Sequence, residues 1–198
     1  MFAYIKGSLE EKTSNYVVID VLGIGYKIFM SANSINNIGE LGNIVKVHTH
    51  YYVREDNISL YGFLTSEELK MFELLLSVSG IGAKSAITML SNISPSDFAL
   101  AIITNNIATL TKIPGIGAKS AQRIILELKD KLKDAENASK VEESNKPENS
   151  ENMKDALDAL QILGYNKKEI EKVLEKLELE DMSTENIIKN ALKYLSRN

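Results

Sequence analysis

The seven residues Gly-Ile-Gly-Ala-Lys-Ser-Ala occur twice in this chain, at 80–86 and again at 115–121. Two glycines one residue apart let a backbone turn tightly, through φ values that a side chain disfavours. Each copy follows an apolar helical pattern and opens another. A helix begun in this way presents free N–H groups and the positive end of its dipole, and Lys84 or Lys119 adds a full charge in the first turn. The chemistry is anion capture: a phosphate cradle, blind to base sequence and built in duplicate. Its expected ligand is a nucleic-acid backbone. Beyond the second copy, Lys119, Arg123 and Lys129 are expected on roughly one side of a helix, beside backbone donors at Gly115 and Gly117; such contacts position a backbone without reading bases.

A nucleotide-binding P-loop is the other glycine-rich option, and it does not fit. It needs four residues between its glycines and Gly-Lys-Ser/Thr after them, whereas one residue intervenes here and Ala118 precedes Lys119. A third Gly-Ile-Gly, at 23–25, lies between strand patterns and reads as a turn.

The elements that must carry the repeat show a change of period. Residues 2–9, 16–20, 25–30, 44–52 and 57–61 are β-branched or aromatic runs bounded by Gly, Asn and Ser, which predicts five short strands and a small Greek-key barrel of the OB type. A helical turn is expected at 35–38. From Thr65 the spacing is helical: Thr65 and Glu68 form a capping box, and Leu69, Phe72, Leu75 and Leu76 follow at helical intervals. Ser94-Pro95-Ser96-Asp97 is a second start signal. Residues 134–152 are mostly Glu, Asn, Ser and Lys, a composition expected to make a flexible acidic linker. Three short helical patterns follow, broken at Gly164-Tyr165 and restarted at Ser183, and they predict a small three-helix module independent of the rest. The fold class is therefore α+β and multidomain: a barrel over residues 1–64, an all-helical tandem hairpin domain over 65–133, a linker over 134–152 and a bundle over 153–198.

Charge follows the same division. The chain is −4 overall, yet residues 65–133 hold 8 basic and 6 acidic side chains while 134–198 hold 10 and 15. The one basic third is the third with the repeat, which points to a restricted contact surface. There are no cysteines, so disulfides and thiolate metal sites are excluded, in keeping with a reducing cytosol. No apolar run reaches the length of a membrane span, and the first residues lack the pattern of a secretory signal. His48 and His50 share a strand face with no third ligand in view, so no metal is expected. No catalytic residue is expected either. A glycosylase-type enzyme built on such a hairpin needs a catalytic Asp in a pocket soon after it, and Asp130, the only candidate of that type, sits among lysines at an exposed helix end. On composition alone, Arg54-Glu55-Asp56-Asn57 is a solvated turn between two strands.

Taken in order, these parts resemble the RuvA family of Holliday-junction-binding proteins. The most specific pieces are Val53-Arg54-Glu55-Asp56, Leu60-Tyr61-Gly62-Phe63 and Ile113-Pro114-Gly115-Ile116-Gly117; with the C-terminal module and its Leu163-Gly164-Tyr165, the resemblance covers essentially the whole chain. It implies a non-catalytic, cofactor-free, cytoplasmic subunit that forms four-fold tetramers, single or paired as octamers, around a four-way junction. It implies that Gly80, Gly82, Lys84, Gly115, Gly117, Lys119 and Arg123 grip phosphates, and that Glu55 and Asp56 form an acidic pin at the junction centre. It implies a UBA-like C-terminal bundle that docks on the hexameric ATPase RuvB, with RuvC resolvase as a further partner; the apolar Leu157, Leu160 and Tyr165 are candidates for the RuvB contact and equally for the bundle's own core. Ser79 stands where the second hairpin has Pro114, so the first hairpin is expected to be the less rigid. The rival readings are a duplex-binding adaptor and a helix-hairpin-helix nuclease or glycosylase.

Overall fold

The structure is a computed structural model and describes residues 2–55, 57–138, 151–177 and 182–195. Strands β1 (Tyr4–Lys12), β2 (Tyr16–Val21), β3 (Ile24–Phe29), β4 (Ile44–Val53) and β5 (Ile58–Phe63) close a barrel in the order β1-β2-β3-β5-β4. Four of the pairings are antiparallel, and β3 meets β5 in parallel where Phe29 faces Tyr61. The apolar alternation explains the closure: Ile5, Leu9, Val17, Ile19, Ile28, Val45 and Val47 all point inward and are buried. The helical turn expected at 35–38 is α1 (Ala32–Asn37), capped by the Ser31 side chain and placed slightly earlier.

Five helices follow: α2 (Ser66–Leu76), α3 (Ala83–Leu90), α4 (Pro95–Ile103), α5 (Ile107–Thr111) and α6 (Ala118–Ala138). The caps read from sequence form, since Thr65 accepts from the Glu68 amide and Ser94 from the Asp97 amide with Pro95 at the first position. The Glu68 carboxylate departs from a simple capping box. It takes the Leu64 amide at 2.9 Å and the Ser34 hydroxyl at 3.2 Å, which ties α2 to the barrel's own helix. Phe72 strengthens that joint, with its ring 4.9 Å from Phe63, 5.1 Å from Tyr61 and 5.3 Å from His50.

Helix α6 runs on to Ala138, past the linker boundary expected at Lys133, because the Ala- and Glu-containing sequence after it still favours helix. Residues 139–150 of that expected linker lie outside the described residues. The C-terminal helices α7 (Glu151–Ile162), α8 (Lys167–Leu174) and α9 (Thr184–Leu195) do not stand apart from the rest. Their buried residues Ala156, Leu160, Ile187 and Ala191 belong to one apolar cluster with Phe98, Ala101 and Ile102 of α4. The reason is legible in α4 itself. Its run Phe98-Ala-Leu-Ala-Ile-Ile103 is apolar all round, so one face fills the hairpin core and the other needs a second cover, which the bundle supplies.

Candidate nucleic-acid interface

Each repeat makes a helix-hairpin-helix: α2 and α3 flank the first turn, α5 and α6 the second. Val78 and Ile113 anchor the turns in the core, and in both copies the amide three residues on (Ile81, Ile116) donates to the anchor's carbonyl at 3.1 Å. Gly80 and Gly115 then take φ of +81° and +83°, so the first glycine of each pair is there for its backbone freedom.

The second glycine has a different reason. Gly82 lies at φ −98° and ψ 172°, an extended conformation open to any residue, and Gly117 also lies outside the left-handed region. The expectation that both glycines need unusual φ is corrected by this geometry. A Cβ at either position would meet nothing within 4 Å, so the protein's own packing does not require glycine there. Each is the residue before a helix, where Ser, Thr, Asp or Asn would cap better. Glycine at that point leaves the first-turn N–H groups without a side-chain cap and leaves the space in front of them empty. Both are what an external phosphate requires. The carbonyls of Gly82 and Gly117 start the helices, accepting from Ala86 at 3.0 Å and Ala121 at 2.9 Å. Lys84 and Lys119 stand exposed in the first turn beside them.

Along α6 the structure divides the basic residues. Arg123 is exposed and its Nη1 donates at 3.4 Å to the carbonyl of Ser79, so the guanidinium of the second hairpin's helix lies over the first hairpin's turn. Lys129 is not on that side. Six residues turn the helix by about 600°, a third of a turn short of Arg123's face, and Lys129 Nζ instead holds the carbonyl of Ile103 at the end of α4, at 2.7 Å. Lys131 donates to the carbonyl of Ser77 at 3.2 Å and to its hydroxyl. Sequence reasoning missed this clasp, and with it Glu127, whose Oε2 accepts from the Ser79 amide at 3.0 Å. The one visible signal was an i, i+4 spacing of Arg123, Glu127 and Lys131.

At the β4–β5 tip, Arg54 N donates to Asn57 O at 2.8 Å and closes the turn. The Arg54 side chain folds back, donating from Nε to the Tyr52 hydroxyl at 2.7 Å with its guanidinium 5.0 Å from that ring. That leaves the Glu55 carboxylate exposed at the tip, between the exposed side chains of Val53 and Ile58. Asp56 lies outside the described residues.

The residues expected to meet a motor sit elsewhere. Leu157 is half-buried, whereas Leu160 and Tyr165 are buried. The Tyr165 hydroxyl donates to Glu67 Oε1 of α2 at 2.7 Å, and Lys70 Nζ lies 3.3 Å from its ring centroid. Burial, then the bond to Glu67, raises the Tyr165 phenol above its ordinary value, and burial lowers the Lys70 ammonium. His50 is engaged through Nδ1 with Glu73 at 3.0 Å. Among the described residues, no group of three His, Cys, Asp or Glu side chains could hold a metal, and no single helix is long and apolar enough to cross a membrane.

Comparison with known proteins matches residues 1–62 to the RuvA N terminal domain, 72–130 to the SAM-like helix-hairpin-helix tandem, and 151–196 to the RuvA C-terminal domain. The chain is 54% identical to the Holliday junction branch migration complex subunit RuvA of Acetivibrio thermocellus, with all of both chains covered. It is 48% identical to the protein of the same name from Ruminiclostridium cellulolyticum, over 98% of this chain and 100% of that one. The Clostridium perfringens protein of that name is 45% identical, again over the whole of both chains. Matched end to end by such relatives, and at both ends by models of the family's own domains, the chain belongs to the RuvA family.

Proposed function

We propose that this protein binds Holliday junctions by their shape, as the DNA-binding subunit of a branch migration complex, and has no enzymatic activity of its own. The observation that carries the reading is the pair of uncapped helix starts, each with an open glycine before it and a lysine after it. The names of the relatives supply the junction. Gly80, Gly82, Lys84, Gly115, Gly117, Lys119 and Arg123 grip backbone phosphates of one arm. A single subunit offers few contacts and binds weakly. Four subunits around a centre act together, which converts weak grips into selectivity for a square four-way junction. The assembly is a tetramer, alone or facing a second one. Residues 1–64 carry the pin, 65–133 the grip, 134–152 the tether and 153–198 the RuvB-docking bundle; RuvC shares the complex, which works in the cytoplasm. Leu157 is the contact residue nearest the bundle's surface, and Leu160 and Tyr165 come within a partner's reach only when the bundle leaves α2 and α4.

The test is competition between a four-way junction and linear duplex of the same sequence, at moderate salt with Mg²⁺. A junction preference of about a hundredfold or more is expected, the scale that multivalent engagement supplies. Affinity should fall steeply with salt, by about 0.9 in log–log slope per phosphate neutralised. Equal binding would favour the duplex adaptor, and cleavage or base release would favour an enzyme. The pin has its own test. Glu55→Gln with Asp56→Asn removes like charge from the centre, so junction affinity should hold or rise while RuvB-driven branch movement slows. Loss of junction binding by a variant that remains tetrameric would overturn the pin's repulsive role.

A further inference from the structure

The two hairpins share a backbone but not a means of stiffening it. In the second, Pro114 precedes the left-handed glycine; it fixes its own φ and has no amide hydrogen to satisfy. In the first, Ser79 stands in that place with free torsions and an N–H to be accounted for. The structure accounts for it: the Ser79 amide donates to Glu127 Oε2 at 3.0 Å. The Ser79 carbonyl accepts from Arg123, and Lys131 holds Ser77 two residues earlier. Three successive turns of α6 therefore grasp the first hairpin's turn, and α6 is the helix that begins at the second hairpin.

Glu127 is the odd member of this set. Arg123 and Lys131 would suit a phosphate-facing helix whether or not they touched the turn. A carboxylate on that face repels phosphate and lowers affinity unless it does something else. We propose that Glu127 is a positioning residue, holding the first hairpin in its phosphate-gripping shape through the Ser79 amide and replacing the rigidity that Pro114 gives the second. This rests on the DNA-binding reading above.

The two roles predict opposite signs. If Glu127 is only a surface charge, Glu127→Ala and Glu127→Gln both bind junction DNA more tightly. If it positions the hairpin, Glu127→Ala weakens junction binding about tenfold, the worth of one charge-assisted hydrogen bond. Glu127→Gln, which keeps an acceptor oxygen, then recovers most of that loss. In a Ser79→Pro background, where the amide hydrogen is gone, Glu127→Ala should cost nothing further. Amide exchange of the full-length protein without DNA gives an independent reading, since Ser79 and Ile81 should exchange faster in Glu127→Ala while the 113–117 turn is unchanged. Binding by Glu127→Ala equal to or tighter than the wild type overturns the proposal, and so do unchanged exchange at Ser79 or an undiminished loss in the Ser79→Pro background. Failure of the DNA-binding reading is recognised separately, because the unsubstituted protein would then show no junction affinity to lose.

Discussion

The two hairpins begin from the same seven residues and reach the same turn, with Gly80 and Gly115 only two degrees apart in φ, at +81° and +83°. What surrounds them differs. The first helix of the first hairpin, α2, is held on three sides: by Phe72 and Glu68 to the barrel, by Glu67 and Lys70 to the C-terminal bundle, and at its end by α6. Its counterpart α5 is a single short helix, Ile107–Thr111, with Ile107 where α2 has Phe72 and Leu110 as its one fully buried side chain. The second hairpin is set by its own sequence, through Pro114 and the Ile113 anchor. The first is set by its neighbours. A repeated motif thus guarantees a repeated backbone but not a repeated source of rigidity.

The sharpest way to break the comparison is to remove the neighbour. Phe72→Ala empties a fully buried ring site and should destabilise the protein by about 3–5 kcal/mol. Because Phe72 is the joint between α2 and the barrel, the loosening should be lopsided. Amides of α2 should lose exchange protection well before those of α5 and the start of α6. Equal loss in both hairpins would mean that the barrel supports the helical domain as a whole rather than its first hairpin.

The next test separates the two glycines within each turn. Gly82→Ala and Gly117→Ala place a methyl where nothing in the protein stands within 4 Å, so thermal stability should change by less than about 1 kcal/mol. Junction affinity should nevertheless fall, by about tenfold or more for each, because the methyl occupies the approach of the phosphate and the loss repeats in every subunit. Gly115→Ala should do the reverse in part, straining a backbone at φ +83° and costing about 1–2 kcal/mol of stability. If Gly82→Ala proves much milder than Gly117→Ala, the first hairpin grips less, despite the clasp from α6. Matching losses would mean that rigidity from outside the motif serves as well as proline within it.

How much of this the sequence carried depends on the distance over which each feature is written. The five strands, the Thr65 and Ser94 caps and both glycine turns are local patterns, and all were readable from alternation, capping and glycine spacing. Lys129 was misplaced through a loose count along one helix. The Glu127–Ser79 bond spans 48 residues and has no periodic signature, so only the packed structure brings the two together. The docking of the C-terminal bundle was half-written. The Phe98–Ile103 run of α4 is apolar on every side, which demands a second cover, but nothing in its own residues says which part of the chain provides it.

That docking offers the finest test of how α2 is held, because one atom can be removed from it. Tyr165→Phe keeps the ring beneath Lys70 and deletes only the hydroxyl that donates to Glu67, a carboxylate just 6% exposed. Glu67 retains the Ser66 hydroxyl at 3.2 Å, so the cost should be about 1 kcal/mol at neutral pH. The pH dependence identifies the source. The Tyr165 phenol is raised above its ordinary value of 10 by burial and by Glu67, so the folded, docked state favours its neutral form. That contribution is fully present below about pH 10 and is lost as pH rises further, because the released phenol ionises first. Burial lowers the Lys70 ammonium, but it faces a ring in both proteins, so its effect largely cancels in the difference. The stability gap between the wild type and Tyr165→Phe should therefore stay constant from neutrality to about pH 10 and then narrow. A gap that widened instead would mean that the hydroxyl is ionised in the docked state, and that α2 is held by Lys70 and an oxyanion rather than by a hydrogen bond to Glu67.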